Sequence, residues 1–197
     1  MRGSKPKVDP RYTAAFRELA KRLARAAGLK QQNPLDIYLA GGSALHFHTG
    51  ARMSDDIDAT FARRVVVPEG EVVFTDSAGQ PRSIHWDRNY NESFALVHED
   101  AHRDAVRMPL PEVPQIRVWL FSPLDLAVSK LARFGDIDRA DIVALATHCG
   151  ITSAALRRRA EQALSYYVGN PAPVRTSIDI ACADIDAATR APRSRRK

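Results

Sequence analysis

Residues 37–61 read IYLAGGSALHFHTGARMSDDIDATF, and the fold turns on this stretch. The apolar run Ile37, Tyr38 and Leu39 predicts a short strand that stops at Gly41 and Gly42. Ser43 to Thr49 predicts a helix, with Ser43 as its N-cap and Gly50 as its end. Ile57, Ala59 and Phe61 alternate with polar residues and predict a second strand. Where a strand ends at two glycines and a helix opens, a phosphate can approach the backbone, because glycine has no Cβ. The helix start adds free amides and a positive dipole end. Asp56 and Asp58 flank a single residue, so on a strand both carboxylates project from one face, toward the glycine turn. Two carboxylates side by side repel unless a cation lies between them. Hard oxygen donors at that spacing suit magnesium (or manganese) carrying a nucleoside triphosphate. Taken singly, a Gly-Gly-Ser turn is common, and an Asp-x-Asp pair on a strand is usually a solvated edge. Their order and spacing join them into one candidate site.

Outward from this stretch, Pro10 to Ala27 predicts an amphipathic helix. Phe16, Leu19, Ala20, Leu23 and Ala27 recur at helical spacing, basic residues occupy the other face, and Gly28 is the stop. Val65 to Val67, Val72 to Thr75 and Ser83 to Trp86 predict further strands, with a hairpin turn over Asp76 to Gln80. Ser93 to Val97 also looks strand-like, and Ile116 to Phe121 predicts one more apolar strand. From Pro123 the text turns helical: Leu124 to Phe134, Asp138 to Cys149 and Ser153 to Tyr167. Pro171 and Pro173 then predict a break before a last short helix near Ile178 to Ala188. The expected class is α+β: a small mixed β-sheet with flanking helices, followed by a helical C-terminal third. The expected organisation is an α/β core over residues 1–121, a helical region over 122–190 and a basic tail over 191–197.

Composition bounds the functions. The chain has 197 residues, 45% apolar and 26% charged, which suffices for one globular domain with a core. A formal charge of +6 and a pI near 9.6 favour an anionic partner such as a nucleotide or nucleic acid. Part of that excess is Arg190, Arg193, Arg195, Arg196 and Lys197, a run that reads as a solvated tail. Cys149 and Cys182 lack metal-type spacing and fit free thiols in a reducing cytoplasm. No apolar run reaches the ~18 residues of a membrane span, and MRGSKPKVDP holds no apolar signal-peptide core.

The strand, the Gly-Gly-Ser turn and the Asp56-Ile57-Asp58 strand together resemble the signature of the DNA polymerase β-type nucleotidyltransferase superfamily. Arg52-x-x-Asp55-Asp56-Ile57-Asp58 and the later run SPLDLAVSKLARFGDIDRADIVALA narrow the likeness. They are similar to small bacterial nucleotidyltransferase-like proteins related to abortive-infection and toxin–antitoxin toxins. The resemblance spans about Ile37 to Tyr167. It implies that Gly41, Gly42, Ser43 and Arg52 bind a nucleoside triphosphate, that Asp56 and Asp58 are catalytic and hold magnesium, and that Lys130 neutralises phosphate charge. It further implies a third carboxylate on a neighbouring strand, as metal ligand or base, with Asp87 the first choice and Asp100 the second. The implied reaction transfers a nucleoside monophosphate to an RNA or tRNA 3′ end, or to a protein hydroxyl. An antitoxin partner is implied as well. The alternative is a catalytically degenerate binding module of the same fold.

Other signals compete. Lys130 reads equally as a surface lysine, and Asp138 and Asp141 read as partners for Arg133 or Arg139 that brace their helix. His98-Glu99-Asp100-Ala101-His102 matches the zinc-protease pattern HExxH, but the segment is short and lacks an evident third ligand. His46 and His48, two residues apart, diverge on a helix. The face of the first helix with Lys21, Arg22 and Arg25 is either solvated or an RNA-backbone contact.

Overall fold

The structure is a computed structural model that describes residues 7–190; the expected basic tail, 191–197, lies outside the described residues. It is an α+β protein whose chain divides into two compact units. One holds the residues up to Asn91 together with Ala101–Ser122. The other holds Glu92–Asp100 and the residues from Pro123 onward.

The first unit opens with α1, Pro10–Ala26. Asp9 caps it by accepting from the Arg11 and Tyr12 amides, and Pro10 takes the first turn, where no amide is needed. Its apolar face, Tyr12, Phe16, Leu19 and Leu23, is completely or almost completely buried. Burial of each such side chain contributes about 1.5–3 kcal/mol, which anchors α1 far more firmly than helix propensity could. Strand β1, Leu35–Leu39, is followed by α2, Gly41–Thr49, and Gly50 closes α2 in the left-handed conformation at φ 66°. Next come β2, Asp56–Ile57; β3, Ala59–Phe61; β4, Val72–Thr75; and β5, Pro81–Trp86. Strands β6, Val106–Met108, and β7, Ile116–Leu120, complete the unit.

The strands form two sheets. One runs β3-β1-β7-β6, with β1 parallel to β7 and antiparallel to β3; the other runs β2-β5-β4, with β2 parallel to β5. The single strand expected over 57–61 is therefore broken at Asp58, where the chain passes from one sheet to the other. The Asp58 carbonyl accepts from the Ala40 amide at 3.0 Å, which ties the crossing to the end of β1.

Several expectations need correction. Residues 65–67 are not a strand: Val66 is 78% exposed, and Pro68 withholds a ladder donor. Ser93–Val97 is not a strand either; a single 3₁₀ turn covers Glu92–Phe94. Strand β6 escaped notice because its three residues lack a clear alternation. Helix α2 begins two residues before Ser43. Ala40 is its N-cap, and the Ser43 hydroxyl donates back to the Ala40 carbonyl at 3.2 Å.

The second unit is helical: α3, Pro123–Ser129; α4, Asp136–Cys149; α5, Ser153–Leu164; and α6, Pro171–Arg190. Pro171 and Pro173 open α6 rather than interrupt the chain, because the first helical turn needs no amide donors. Helix α3 stops five residues short of the expected Phe134, which itself sits at φ 49°. Among the described residues no helix is long and apolar enough to cross a membrane.

Candidate active site at the glycine turn

Three elements meet at the C-terminal end of β1: the first turn of α2, the segment 52–54, and the crossing at Asp58. Gly41 has φ 56°, and a Cβ placed there would lie 1.6 Å from Oδ2 of Asp58. A Cβ on Gly42 would lie 2.7 Å from Ser54 Cβ and 2.9 Å from Arg52 Nη1. Both glycines are therefore required by contact. One seats a carboxylate against the backbone, and the other seats a guanidinium. Ala40, the N-cap of α2, has no side chain that could cap the helix, and the Asp58 carboxylate stands against its first residue.

Buried aromatics hold this arrangement in place. The Tyr12 hydroxyl donates to the Ser54 carbonyl at 2.9 Å, and burial pushes its phenol pKa up. Tyr12 packs edge-on against His46, whose ring accepts from the Asp9 amide through Nε2 at 3.0 Å and donates through Nδ1 to the Ala51 carbonyl at 2.8 Å. Those partners fix the neutral tautomer, and burial lowers the pKa of His46. His48 turns away and donates to the Phe121 carbonyl at 2.8 Å; burial lowers its pKa too. The two histidines brace α2 in different directions.

Asp58 is half-buried and Asp56 is exposed, while Ile57 and Ala59 between and beyond them are buried. Because the strand breaks at Asp58, the two carboxylates are positioned separately: Asp58 against Gly41, and Asp56 at the edge of β2. The parallel register of β2 and β5 sets His85 beside Asp56, with Nε2 to Oδ1 at 3.0 Å. One step further the Asp87 amide donates to the Ile57 carbonyl at 3.1 Å, which brings Asp87 to the end of β2, where the chain leaves the sheet. Its Oδ1 accepts from the Asn89 amide at 2.8 Å. His85 was not singled out in the sequence. Its signal was the flanking pair Ile84 and Trp86: both are buried, so the residue between them faces the Asp56 side. Among the described residues no three His, Cys, Asp or Glu side chains are already gathered to hold a metal ion.

The other predicted residues lie in the second unit. Lys130 follows α3 and is buried; its ammonium donates to Asp141 at 2.7 Å and lies 3.7 Å from Asp138. Asp138 also receives Arg133 through two bonds of 2.9 Å and the Gly135 amide at 3.1 Å. The Arg133 guanidinium pair and the Gly135 amide, with Lys130 nearby, outweigh desolvation and hold the Asp138 carboxyl below its usual range. The bracing expected of Asp138 and Asp141 is present, with Lys130 as the partner of Asp141; Arg139 instead pairs with Asp184. The Asp100 amide donates to His98 Nδ1 at 3.1 Å. Residues 99–104 are turns, so His98 and His102 share no helical face; His102 stacks on Tyr38 at 4.2 Å.

A family model described as "Nucleotidyltransferase of unknown function (DUF6036)" matches residues 16–190. The chain belongs to this nucleotidyltransferase family. The match includes the whole glycine turn, the Asp58 crossing and most of the helical unit. Comparison with curated proteins and with solved structures gives no match.

Proposed function

We propose that the protein transfers a nucleoside monophosphate from a nucleoside triphosphate to an acceptor hydroxyl, at the site formed by Gly41, Gly42, Ser43, Arg52, Asp56 and Asp58. One observation carries this reading: Gly41 and Gly42 seat the Asp58 carboxylate and the Arg52 guanidinium directly against the first turn of α2. The amides of that turn and Arg52 bind the triphosphate, and the low cost of a preformed turn fixes the α-phosphorus for attack. Asp56 and Asp58 are the carboxylates assigned to a hard divalent cation, magnesium or manganese, because their oxygens are hard donors and glycine leaves room for Asp58. Such an ion supplies Lewis-acid neutralisation of phosphate charge when bound. The acceptor oxygen bonds to the α-phosphorus as the bond to the bridging oxygen breaks. Pyrophosphate departs, and Asp87, at the end of β2, takes the hydroxyl proton. The net charge of +6 favours an RNA 3′ end as acceptor over a protein side chain. Likeness to abortive-infection and toxin–antitoxin proteins supports a role that an antitoxin restrains.

Incubation with each of the four α-labelled nucleotides, magnesium and either total RNA or cell lysate tests this. Labelled product is expected from the wild type and not from Asp58→Ala. Its absence from both samples with all four nucleotides contradicts transfer. A second reading is a degenerate nucleotide-binding module, favoured by the lack of a gathered three-residue metal group among the described residues. Nucleotide-dependent thermal stabilisation that survives without any transfer would support it.

A further inference from the structure

His98, Glu99 and Asp100 open the run that matches HExxH, belong to the helical unit, and are not used at the glycine turn. With residues of α5 and the turn after it, Arg159 and Tyr166 among them, they line a cavity of about 310 Å³. His98 is 7% exposed. Its Nδ1 accepts from the Asp100 amide at 3.1 Å, which leaves the proton of the neutral ring on Nε2. Nε2 has no partner among the described residues, where the side-chain nitrogens both sealed in the core and unpartnered are Arg17 Nε and Trp86 Nε1. The Nε2–H therefore opens on the cavity that the ring lines. A nearly buried donor without an acceptor is costly, so its place on a cavity wall points to an acceptor supplied by a ligand. Beside it, Arg159 is 14% exposed and committed through Nε and Nη2 to Asp125, at 2.7 and 3.1 Å; it forms a fixed wall whose charge is answered. At the rim the Tyr166 hydroxyl donates to Glu99, which ties a ring 58% exposed to the edge of the cavity.

The lining asks for an acceptor at His98 and a donor at the next residue, Glu99. A phosphate offers acceptors alone and an ammonium donors alone, so neither answers both. The edge of a nucleobase carries acceptor and donor side by side on a flat ring, and such rings stack on exposed aromatic side chains. Guanine answers the pair most fully. Its O6 accepts, and the adjacent N1–H and 2-amino group donate to the two oxygens of one carboxylate, whose lone pairs also leave room for the Tyr166 hydroxyl. We infer that this cavity of the helical unit binds one guanine base, with His98 Nε2 donating to O6, Glu99 accepting from N1 and the 2-amino group, and the Tyr166 ring against the base. The base comes from a free nucleoside or from an unpaired position of an RNA strand. The inference stands apart from transfer at the glycine turn and shares no residue with it.

Calorimetric titration of the full chain with guanosine, inosine and adenosine, without magnesium or triphosphate, tests this independently of turnover. Guanosine is expected to bind. Inosine, which lacks the 2-amino group, should bind on the order of tenfold more weakly. Adenosine, whose 6-amino group sets a donor against His98, should not bind measurably. Tyr166→Ala and Glu99→Gln should each weaken guanosine binding by roughly 10- to 100-fold. Both residues are exposed, so circular dichroism of the two variants should remain that of the wild type. In ¹⁵N spectra guanosine should move the His98 imidazole nitrogens and leave the Gly41 to Ser43 amides in place. A short oligonucleotide with one unpaired guanine is the second arm: tighter binding than guanosine assigns the base to RNA, and weaker binding assigns it to a free nucleoside. Failure of both guanosine and the oligonucleotide to bind, equal binding of the three nucleosides, or binding unchanged in both variants overturns the inference. None of these results bears on transfer at the glycine turn.

Discussion

Arg52 and Lys130 are both cations expected at phosphate, yet the two units treat them oppositely. Arg52 is exposed, and its guanidinium lies against Gly42 at the open turn of α2. Lys130 is 5% exposed and is enclosed by Asp141 and Asp138. The same contrast holds for the acids. Asp56 lies open beside His85, whereas Asp125 is 3% exposed and receives Arg159 through bonds of 2.7 and 3.1 Å. In the helical unit, charges are buried because each is answered by another; the desolvation cost is offset inside the protein. At the glycine turn, charges are held in place by backbone and aromatic packing and keep a face toward solvent. Lys130 and Asp125 are thus buried with charged partners, while Arg52 and Asp56 stay exposed.

The largest effect should come from breaking the saturated cluster. Lys130→Ala removes the buried ammonium that Asp141 and Asp138 share and is expected to destabilise the protein by about 3–5 kcal/mol. Arg52→Ala is expected to leave stability nearly unchanged and to weaken triphosphate binding by roughly 10- to 100-fold, through loss of a charge-assisted hydrogen bond. Denaturant unfolding and nucleotide titration of the two variants read this contrast. Equal destabilisation of both would erase it.

Gly41→Ala comes next. A Cβ at φ 56° is strained by about 1–3 kcal/mol, and it would strike Asp58 Oδ2. Expulsion of that carboxylate should abolish transfer in a protein that still folds. Normal transfer by folded Gly41→Ala would show that the seating of Asp58 is irrelevant.

The acid side gives the smallest effect. His46 is buried and neutral, with its pKa below the ordinary 6.5. The unfolded chain therefore binds more protons than the native one below that pH. Stability is fully present above about pH 6.5 and declines as pH falls from there toward the lowered value. Melting temperatures between pH 7.5 and 5.5 should fall for the wild type and fall less for His46→Gln. Identical slopes would remove His46 from the brace of α2.

Much of this contrast was legible in the sequence. Helical periodicity placed Phe16, Leu19 and Leu23 in the core, and Gly-Gly after an apolar strand located the turn. What escaped was set by partners distant in sequence. Nothing near Lys130 distinguishes a phosphate-facing lysine from one enclosed by carboxylates eight and eleven residues on. His85 drew no notice because only the β2–β5 register brings it to Asp56, 29 positions away. The proline pair at 171 and 173 misled because proline ends helices and begins them alike, and only its place in the first turn decides which.

The triphosphate is expected to bind at the first turn of α2. Residue-resolved ¹⁵N amide spectra, recorded while ATP, CTP, GTP and UTP are each titrated with magnesium, test it most directly. At least one nucleotide should shift the Gly41, Gly42 and Ser43 amides first and most, with Lys130, Asp138 and Asp141 unaffected. Shifts concentrated at Lys130, or no shift at Gly41 to Ser43 with any of the four, would contradict it.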